Sequence, residues 1–254
     1  MREVSESVNR CEVTYIGREP IALDAAVAEH RQYQDALKDY GIQVVLLPSL
    51  KDFPDSVFVE DTAVIFNELA LLTRPGALSR RAEVEHMAPT LSRYRSIARI
   101  EEPGTLDGGD VLVLDKEVYV GMSTRSNDGA VLQMRKILSP FGYEVVPIRV
   151  PECLHLKSAV TRASHDTLLI NPQWIDRNIF SKWKVVEVDP TEPGAANIVA
   201  FEGGAIFPAQ YPKTRERLEK AGICNVRLVD AGELAKAEGA VTCCSLLLKV
   251  FPKE

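Results

Sequence analysis

The sequence lacks the long apolar runs and the basic excess that would suggest a membrane protein or a nucleic-acid binder. No segment approaches the ~18 uncharged apolar residues that a transmembrane helix needs, and the opening MREVSESVNR lacks the apolar centre of a signal peptide. Lys and Arg total 30 against 36 Asp and Glu, so the net charge is −6. We therefore expect a cytoplasmic protein with no membrane partner and no nucleic-acid partner.

Cysteine is scarce, and its spacing excludes the commonest cysteine-based structures. The five cysteines are scattered and form no CxxC pair, which argues against a disulfide framework and a structural zinc site. With 46% hydrophobic and 26% charged residues, the composition is typical of an ordinary folded protein. At 254 residues, the chain has the length of one large domain or two small ones.

Hydrophobic periodicity indicates a repeated order of elements: two short strands, an amphipathic helix and a third strand. In the clearest copy, Asp110–Gly121 form two strands around a turn, a helix begins near Asn127, and Tyr143–Val150 form the third strand. The same order recurs over residues 62–100, where we predict a helix at about 80–94.

Further copies lie later in the chain and at its two ends. Residues 158–190 and 197–230 repeat the order again. The start of the chain gives an incomplete copy, with a strand at Glu12–Gly17, a helix from about Asp24 and a strand at Ile42–Pro48. The strand that this copy lacks could come from the β-like run Ala240–Val250. Five copies of ~50 residues favour a closed ring. We predict one domain over residues 1–254, with its two ends joined in a single blade; an ordinary α/β sheet with insertions is the alternative left open.

Two residues stand out as candidates for nucleophilic and acid–base chemistry. His155 lies between apolar residues in CLHLKSAV, although a lone histidine in such a segment is more often a core residue than a catalyst. Cys243 begins the vicinal pair with Cys244, and free cysteines are commonly small core residues. A thiol becomes a strong nucleophile only where a positive neighbour or a helix terminus lowers its pKa. The residues alone therefore do not select Cys243.

Acidic and basic clusters give a second set of candidates. PDSVFVED places Asp55, Glu60 and Asp61 just before a buried-looking strand, although a solvated loop would explain them as well. LDGGD sets two acids around a tight glycine turn and matches neither the dinucleotide nor the phosphate loop motif. TRPGALSRR and STRSN place arginines in loops that lead into helices, where they could bind a carboxylate or simply meet solvent.

Taken together, these motifs resemble a known family. FPDSVFVED, TRPGALSRR, GTLDGGDVL, VGMSTRSN, LHLKSAV, AAN and GAVTCCSLL occur in the order and spacing of dimethylarginine dimethylaminohydrolase, in the guanidino-group modifying (pentein) superfamily. The resemblance extends from about residue 12 to 248. It implies an α/β fold, a five-bladed propeller of ββαβ repeats with pseudo-fivefold symmetry around a central polar site.

The resemblance also implies roles for individual residues. Cys243 would be the nucleophile, His155 the general acid and base, and Asp107 the residue that orients the histidine. The substrate would be held through its guanidinium, its α-carboxylate and its α-amino group. Asp61 with Glu60 would bind the guanidinium, and Arg80 with Arg125 would bind the α-carboxylate. Asp55 and the backbone near Ala237 would contact the α-amino group.

The implied activity is hydrolysis of asymmetric dimethylarginine or monomethylarginine to citrulline and dimethylamine or methylamine, through a covalent thiouronium on Cys243. The resemblance implies no metal and no organic cofactor, and it leaves a homodimer open. An arginine deiminase that releases ammonia is the main alternative, followed by a non-catalytic binder of arginine-like ligands and an amidinotransferase. Zinc held by Cys243 and His155 would be an inhibitory state. Residues 11–17 form either a lid or a strand.

Overall fold

The structure is a computed structural model that describes residues 1–249. Within that range it contains four three-stranded sheets. Their strands in chain order are β1 Ala63–Ile65, β2 Leu69–Leu72, β3 Ser96–Arg99, β4 Val111–Leu114, β5 Glu117–Met122, β6 Glu144–Arg149, β7 Val160–Arg162, β8 Thr167–Ile170, β9 Lys184–Glu187, β10 Val199–Phe201, β11 Gly204–Pro208 and β12 Val226–Val229.

Helices separate the strands and precede the first sheet. The α-helices are α1 Leu23–Asp39, α2 Ala88–Leu91, α3 Asp128–Leu138, α4 Leu156–Ala159, α5 Pro212–Lys220 and α6 Gly232–Ala235. Short 3-10 helices span Val8–Arg10, Val59–Thr62, Leu78–His86, Gly108–Asp110, Ser139–Phe141, Arg177–Phe180, Pro193–Ala195 and Thr242–Cys244. None of the helices within residues 1–249 combines the length and the apolar character that crossing a membrane requires.

Each sheet has the predicted order of strands. The first two strands form an antiparallel hairpin, and the third pairs in parallel with the second, as in β4, β5 and β6. A parallel pair needs a crossover connection, which α3 supplies between β5 and β6. The side chain of Asn127 caps α3 by accepting the Ala130 N–H, which explains why the helix begins where the sequence predicts. Four of the five expected repeats therefore have three strands.

The sheets surround one axis. Their first strands, β1, β4, β7 and β10, line a common cavity of about 260 Å³ together with residues 245–247. Apolar clusters join each sheet to the next one along the chain. One cluster contains Val64 of the first sheet and Val118 of the second, and another contains Leu112 of the second sheet and Leu168 of the third. Burial between neighbouring units, rather than within a single sheet, provides the core.

The segments predicted as strands of the fifth unit form no such strands among the described residues. Residues 12–17 form an exposed turn, and Leu47 makes only an isolated parallel bridge to Arg2. Residues 242–244 form a 3-10 helix instead of part of the predicted run 240–250, whose last residue lies outside the described range. These strand predictions are therefore wrong for the residues described.

The helix predicted at about 80–94 is also corrected. A 3-10 helix at Leu78–His86 is followed by the short α2, and Pro89 lies in the first turn of α2. Proline has no N–H to donate to the preceding turn, so a continuous α-helix cannot run through this position without losing a hydrogen bond. The segment is therefore helical in two short pieces, and the second piece begins at the turn that contains the proline.

Candidate active site

Short helical turns that precede the first strands deliver the candidate residues to one end of the axis. Val59–Thr62 precedes β1 and carries Glu60 and Asp61, and Asp107 stands just before the turn that leads into β4. His155 occupies the N-cap position of α4, which leads into β7. Because the units repeat around a ring, equivalent turns meet at the same end of it. The repeat therefore explains how residues nearly a hundred positions apart form one site.

His155 is held between two carboxylates. Its Nε2 lies 3.0 Å from Asp107 Oδ2 and 4.0 Å from Asp61 Oδ1. Asp107 is itself fixed, because its Oδ1 accepts the Gly76 N–H at 2.9 Å and its N–H donates to Ser126 Oγ at 3.2 Å. Asp107 thus lies where the sequence places a residue that orients the histidine.

The surroundings of His155 favour its protonated form. Burial, the largest influence, lowers the pKa of the imidazole, but the charge of Asp61 and the hydrogen bond to Asp107 outweigh it and raise the pKa to about 9. His155 is therefore an imidazolium at neutral pH and can act as a general acid.

Glycines allow the acids and the histidine to come this close. A Cβ on Gly109 would lie 2.6 Å from His155 Nδ1, and a Cβ on Gly108 would lie 1.9 Å from the Glu60 carbonyl oxygen. The Gly109 N–H also donates to Asp61 Oδ1 at 2.9 Å. The tight glycine turn in LDGGD is thus required by neighbouring side chains and backbone, and no phosphate is needed to explain it.

Asp61 and Arg80 form a buried ion pair, with 2.5 Å between Oδ2 and NH1. Arg80 also bonds Glu83 Oε2 at 2.9 Å and the Phe58 carbonyl oxygen at 3.0 Å. Burial would raise the pKa of Asp61, but the His155 and Arg80 charges lower it to about 2. If Arg80 binds a substrate carboxylate, its own guanidinium must serve that carboxylate in addition to Asp61 and Glu83, which it already pairs with. Sequence analysis missed Glu83, although an acid three residues after an arginine is a helical pairing signal.

Cys243 shares its surroundings with His155. Both residues line a cavity of about 330 Å³ and a smaller one of about 20 Å³. Burial, reinforced by the negative charges of Glu60 and Asp61, raises the pKa of the Cys243 thiol to about 12. The thiol is therefore neutral at pH 7 in this structure. A guanidinium bound against these carboxylates would offset the charges that oppose thiolate formation.

All of the predicted site residues lie around these two cavities. Glu60 borders the larger cavity, where Trp174 and Tyr211 add aromatic surface. The smaller cavity brings together Asp55, Asp61, Arg80, Asp107, Arg125, His155, Ala237 and Cys243. The two cavities adjoin, since Leu154, His155, Glu238, Gly239 and Cys243 line both of them.

An N-terminal segment covers the smaller cavity. The Glu12 N–H donates to the Asp55 carboxylate at 3.2 Å, and Arg125 donates to Thr14 Oγ1 at 2.9 Å. Glu238 accepts the N–H groups of three consecutive residues, 14–16. The segment that could have been a strand therefore lies against the site without forming one, and its action as a lid stays a prediction. Sequence analysis missed Glu238, because nothing in its local spacing indicates a partner more than two hundred residues away.

Asp110 supports the site from behind. Its Oδ2 accepts the hydroxyls of Ser123 and Ser126, each at 2.6 Å, and its Oδ1 accepts the Leu156 N–H at 3.0 Å. Leu156 directly follows His155, so Asp110 holds the turn that carries the histidine. Burial raises the pKa of Asp110 to about 6. The sequence showed this acid as part of LDGGD but not its task.

Among residues 1–249, one group of three potential metal ligands clusters closely: Asp61, Asp107 and His155, with ligand atoms within 4.8 Å of one another. Arg80 already neutralises Asp61, and the imidazolium of His155 would have to lose its proton before binding a metal. The donors fit a proton-holding network better than a metal site. The expectation of a metal-free enzyme stays a prediction.

Comparison with known proteins agrees with this geometry. The family profile described as N,N dimethylarginine dimethylhydrolase, eukaryotic, matches residues 8–187. A dimethylarginine dimethylaminohydrolase from Streptomyces coelicolor is 40% identical over 239 residues, covering 93% of this chain and 91% of that protein. The enzyme of the same name from Pseudomonas aeruginosa is 36% identical over 223 residues, covering 87% of each.

Solved structures confirm the predicted fold. The Pseudomonas aeruginosa dimethylarginine dimethylaminohydrolase, as a cysteine-to-serine variant complexed with citrulline, matches with a TM-score of 0.91 at 33% identity, covering 96% of this chain and 95% of that one. The N-terminal domain of ArgZ, a cyanobacterial arginine dihydrolase, matches with a TM-score of 0.84 at 22% identity and covers 97% of this chain and 95% of that one, so it shares the fold. The chain belongs to the dimethylarginine dimethylaminohydrolase family, hydrolases that act on the C–N bonds of linear amidines.

Proposed function

We propose that this protein hydrolyses N-omega-methylated arginine to citrulline and dimethylamine or methylamine, with Cys243 as the nucleophile. The observation that carries the proposal is the meeting of a thiol, an imidazolium and two carboxylates around connected cavities. The names of the Streptomyces and Pseudomonas relatives and the citrulline in the Pseudomonas structure support it.

The charges around the site suit an arginine-like ligand. Asp61 and Glu60 would hold the guanidinium beside Cys243. The smaller cavity would hold the amino-acid end, with Arg125 and Arg80 near the α-carboxylate. Asp55 and the backbone at Ala237 would contact the α-amino group. In the structure, Asp55 and Arg125 bond lid residues instead. Substrate would have to share or displace those contacts, so binding and lid position are coupled.

The first half of the reaction starts from a neutral thiol and a protonated imidazole. Binding of the guanidinium stabilises the Cys243 thiolate, and the thiol proton leaves for solvent. The sulfur then attacks the central guanidinium carbon. His155 donates its proton to the substituted nitrogen, the C–N bond breaks, and dimethylamine or methylamine departs. The product of this half is a thiouronium covalently attached to Cys243.

The second half uses the same histidine in the reverse sense. Neutral His155 removes a proton from water, and the resulting hydroxide attacks the thiouronium carbon. The C–S bond then breaks as the added hydroxyl group passes its proton to the departing sulfur, which releases citrulline and restores the neutral thiol and the imidazolium. One water is consumed for each amine released. Each acid–base step of this kind contributes about 10² to 10⁴-fold to the rate.

We further propose that the chain acts as one catalytic domain, residues 1–254, on a small guanidino amino acid in the cytoplasm, without nucleic-acid or membrane partners. The net charge of −6 and the shared apolar clusters support this proposal. Size-exclusion chromatography with light scattering measures whether the chain is a monomer or a homodimer. Cell fractionation tests the compartment.

The activity is tested by mass spectrometry of both products. Asymmetric dimethylarginine, monomethylarginine and arginine are incubated separately with the protein, and citrulline and the released amine are quantified. We expect citrulline with dimethylamine or methylamine from the methylated substrates. Turnover of arginine alone, with ammonia as the released amine, would identify a deiminase instead. Undiminished turnover by Cys243→Ser would reject the nucleophile.

A further inference from the structure

A lysine with no role in the reaction described above lines both the larger cavity and the cavity on the axis. Lys157, in α4 two residues after His155, donates from Nζ to Glu60 Oε1 at 2.7 Å. Both side chains are largely buried, at 17% and 10% exposure. The larger cavity is also lined by His155 and Cys243. The ion pair therefore lies close to the reacting groups.

The second oxygen of Glu60 is left without a partner. Among the described residues, Glu60 Oε2 is one of three buried side-chain atoms that make no hydrogen bond. A buried carboxylate oxygen without a donor is costly, so Oε2 is available to accept a hydrogen bond from a ligand in the cavity. An N–H group of a guanidinium is a suitable donor, since it is charged and planar.

The two neighbouring carboxylates have parallel arrangements. Asp61 uses one oxygen for Arg80 and the other for the Gly109 N–H. Glu60 uses one oxygen for Lys157 and keeps the other free. A carboxylate can rotate freely about its last torsion unless one oxygen is bound, so Lys157 fixes where the free oxygen points.

We infer that Lys157 is a positioning residue that binds Glu60 Oε1 and thereby presents Oε2 to the substrate guanidinium. The inference rests on the proposed function and adds a residue that it does not use. Burial raises the pKa of Glu60, and the Lys157 ammonium opposes that rise, so loss of the lysine would favour a neutral Glu60. A neutral carboxyl would no longer attract a cationic guanidinium but would affect an uncharged ureido group little.

The test is calorimetric binding in a Cys243→Ser background, which prevents turnover. Monomethylarginine is the cationic probe and citrulline the uncharged one. For Lys157→Met we expect the Kd of monomethylarginine to rise ~30-fold or more, as for truncation of one partner of a buried charge pair. The Kd of citrulline should change less than about 3-fold, because its ureido group carries no charge. Lys157→Arg keeps the positive charge and should restore most of the affinity.

Two controls separate this role from general damage. Lys182→Met breaks an exposed lysine–glutamate pair with Glu117, at 74% and 25% exposure, and should change neither Kd. The double variant Glu60→Gln with Lys157→Met should bind monomethylarginine no more weakly than Glu60→Gln alone, because the lysine acts through that carboxylate.

Four results would overturn the inference. An unchanged or lower Kd for monomethylarginine in Lys157→Met would show that the lysine does not support Glu60. Equal losses for both probes would indicate a merely structural role. Additive losses in the double variant would show that Lys157 acts independently of Glu60. If the Lys157-containing protein binds no guanidino amino acid, the proposed function fails together with the inference.

Discussion

Replacing Asp107 with asparagine tests how the proton on His155 is held. Asp107 Oδ1 accepts the Gly76 N–H at 2.9 Å, while Oδ2 faces His155 Nε2 at 3.0 Å. In Asp107→Asn the amide oxygen should stay on the Gly76 N–H, since only an oxygen can accept that bond. The amide NH2 then faces Nε2. Two N–H groups cannot bond each other, so the neutral imidazole with an unprotonated Nε2 becomes favoured.

The size of the effect follows from the bond that is lost. A hydrogen bond to a charged group contributes ~1.5–3 kcal/mol, and one pKa unit corresponds to ~1.36 kcal/mol. The pKa of His155 should therefore fall by ~1–2 units from about 9, while the Asp61 carboxylate, 4.0 Å from Nε2, remains. His155 donates a proton only below its pKa. The alkaline limb of kcat/KM should consequently move to lower pH by the same amount.

The assay is citrulline formation from monomethylarginine across the pH range for both proteins, with the His155 resonance titrated by NMR. The loss caused by Asp107→Asn should grow as pH rises, because His155 loses its proton earlier. Asp115→Asn is the matched control, since Asp115 is an exposed acid that pairs with Arg162 away from the candidate site. An alkaline limb that keeps its original position, or moves upward, would refute the reasoning.

Glu238→Gln removes one of the carboxylate oxygens that accept N–H groups of the segment around Tyr15. Chymotrypsin should therefore cleave after Tyr15 faster, and KM should rise. An unchanged cleavage rate would contradict the lid assignment. Gly239→Ala should destabilise the fold by ~1–3 kcal/mol and lower kcat, because a Cβ there would lie 2.1 Å from the Phe58 ring. Gly41→Ala serves as its control: Gly41 has φ +77 and open space, so urea unfolding should show a loss of ~1 kcal/mol with kcat/KM unchanged.

The repeats could be predicted because their signals are local. The β4–β5 hairpin follows from apolar, β-branched runs on either side of a two-residue turn, and Asn127 marks the start of α3 by its own side chain. The helix predicted from residue 80 shows the limit of periodicity. Its apolar spacing continues through Pro89, where the backbone cannot remain helical without a lost hydrogen bond.

The C-terminal run was misread because distant residues decide its conformation. Its β-branched and leucine residues favour a strand, yet Asn197 accepts the Thr242 N–H at 3.1 Å and donates to Thr242 Oγ1 at 2.9 Å. These two bonds, across 45 positions, accompany the 3-10 turn that carries Cys243. A sequence pattern reflects interactions between residues a few positions apart, so it gives no sign of the distant contact with Asn197. Tertiary contacts therefore override the strand propensity.

The motifs identified the groups that would face the substrate, whereas the groups that balance their charge became visible only in three dimensions. Every buried carboxylate must find a cation or several N–H and O–H donors, or it takes up a proton. Asp61 has Arg80 and remains charged without substrate, whereas burial raises the pKa of Glu60 and the Lys157 ammonium opposes that rise. Burial and the negative charges of Glu60 and Asp61 raise the pKa of the Cys243 thiol to about 12, so the thiol stays protonated. Under the proposed function, an incoming guanidinium would meet an Asp61 carboxylate that is already ionised, and its charge would favour the Cys243 thiolate. The Arg80 and Lys157 cations that pair with these carboxylates would in this way couple the proposed activation of Cys243 to occupancy of the site.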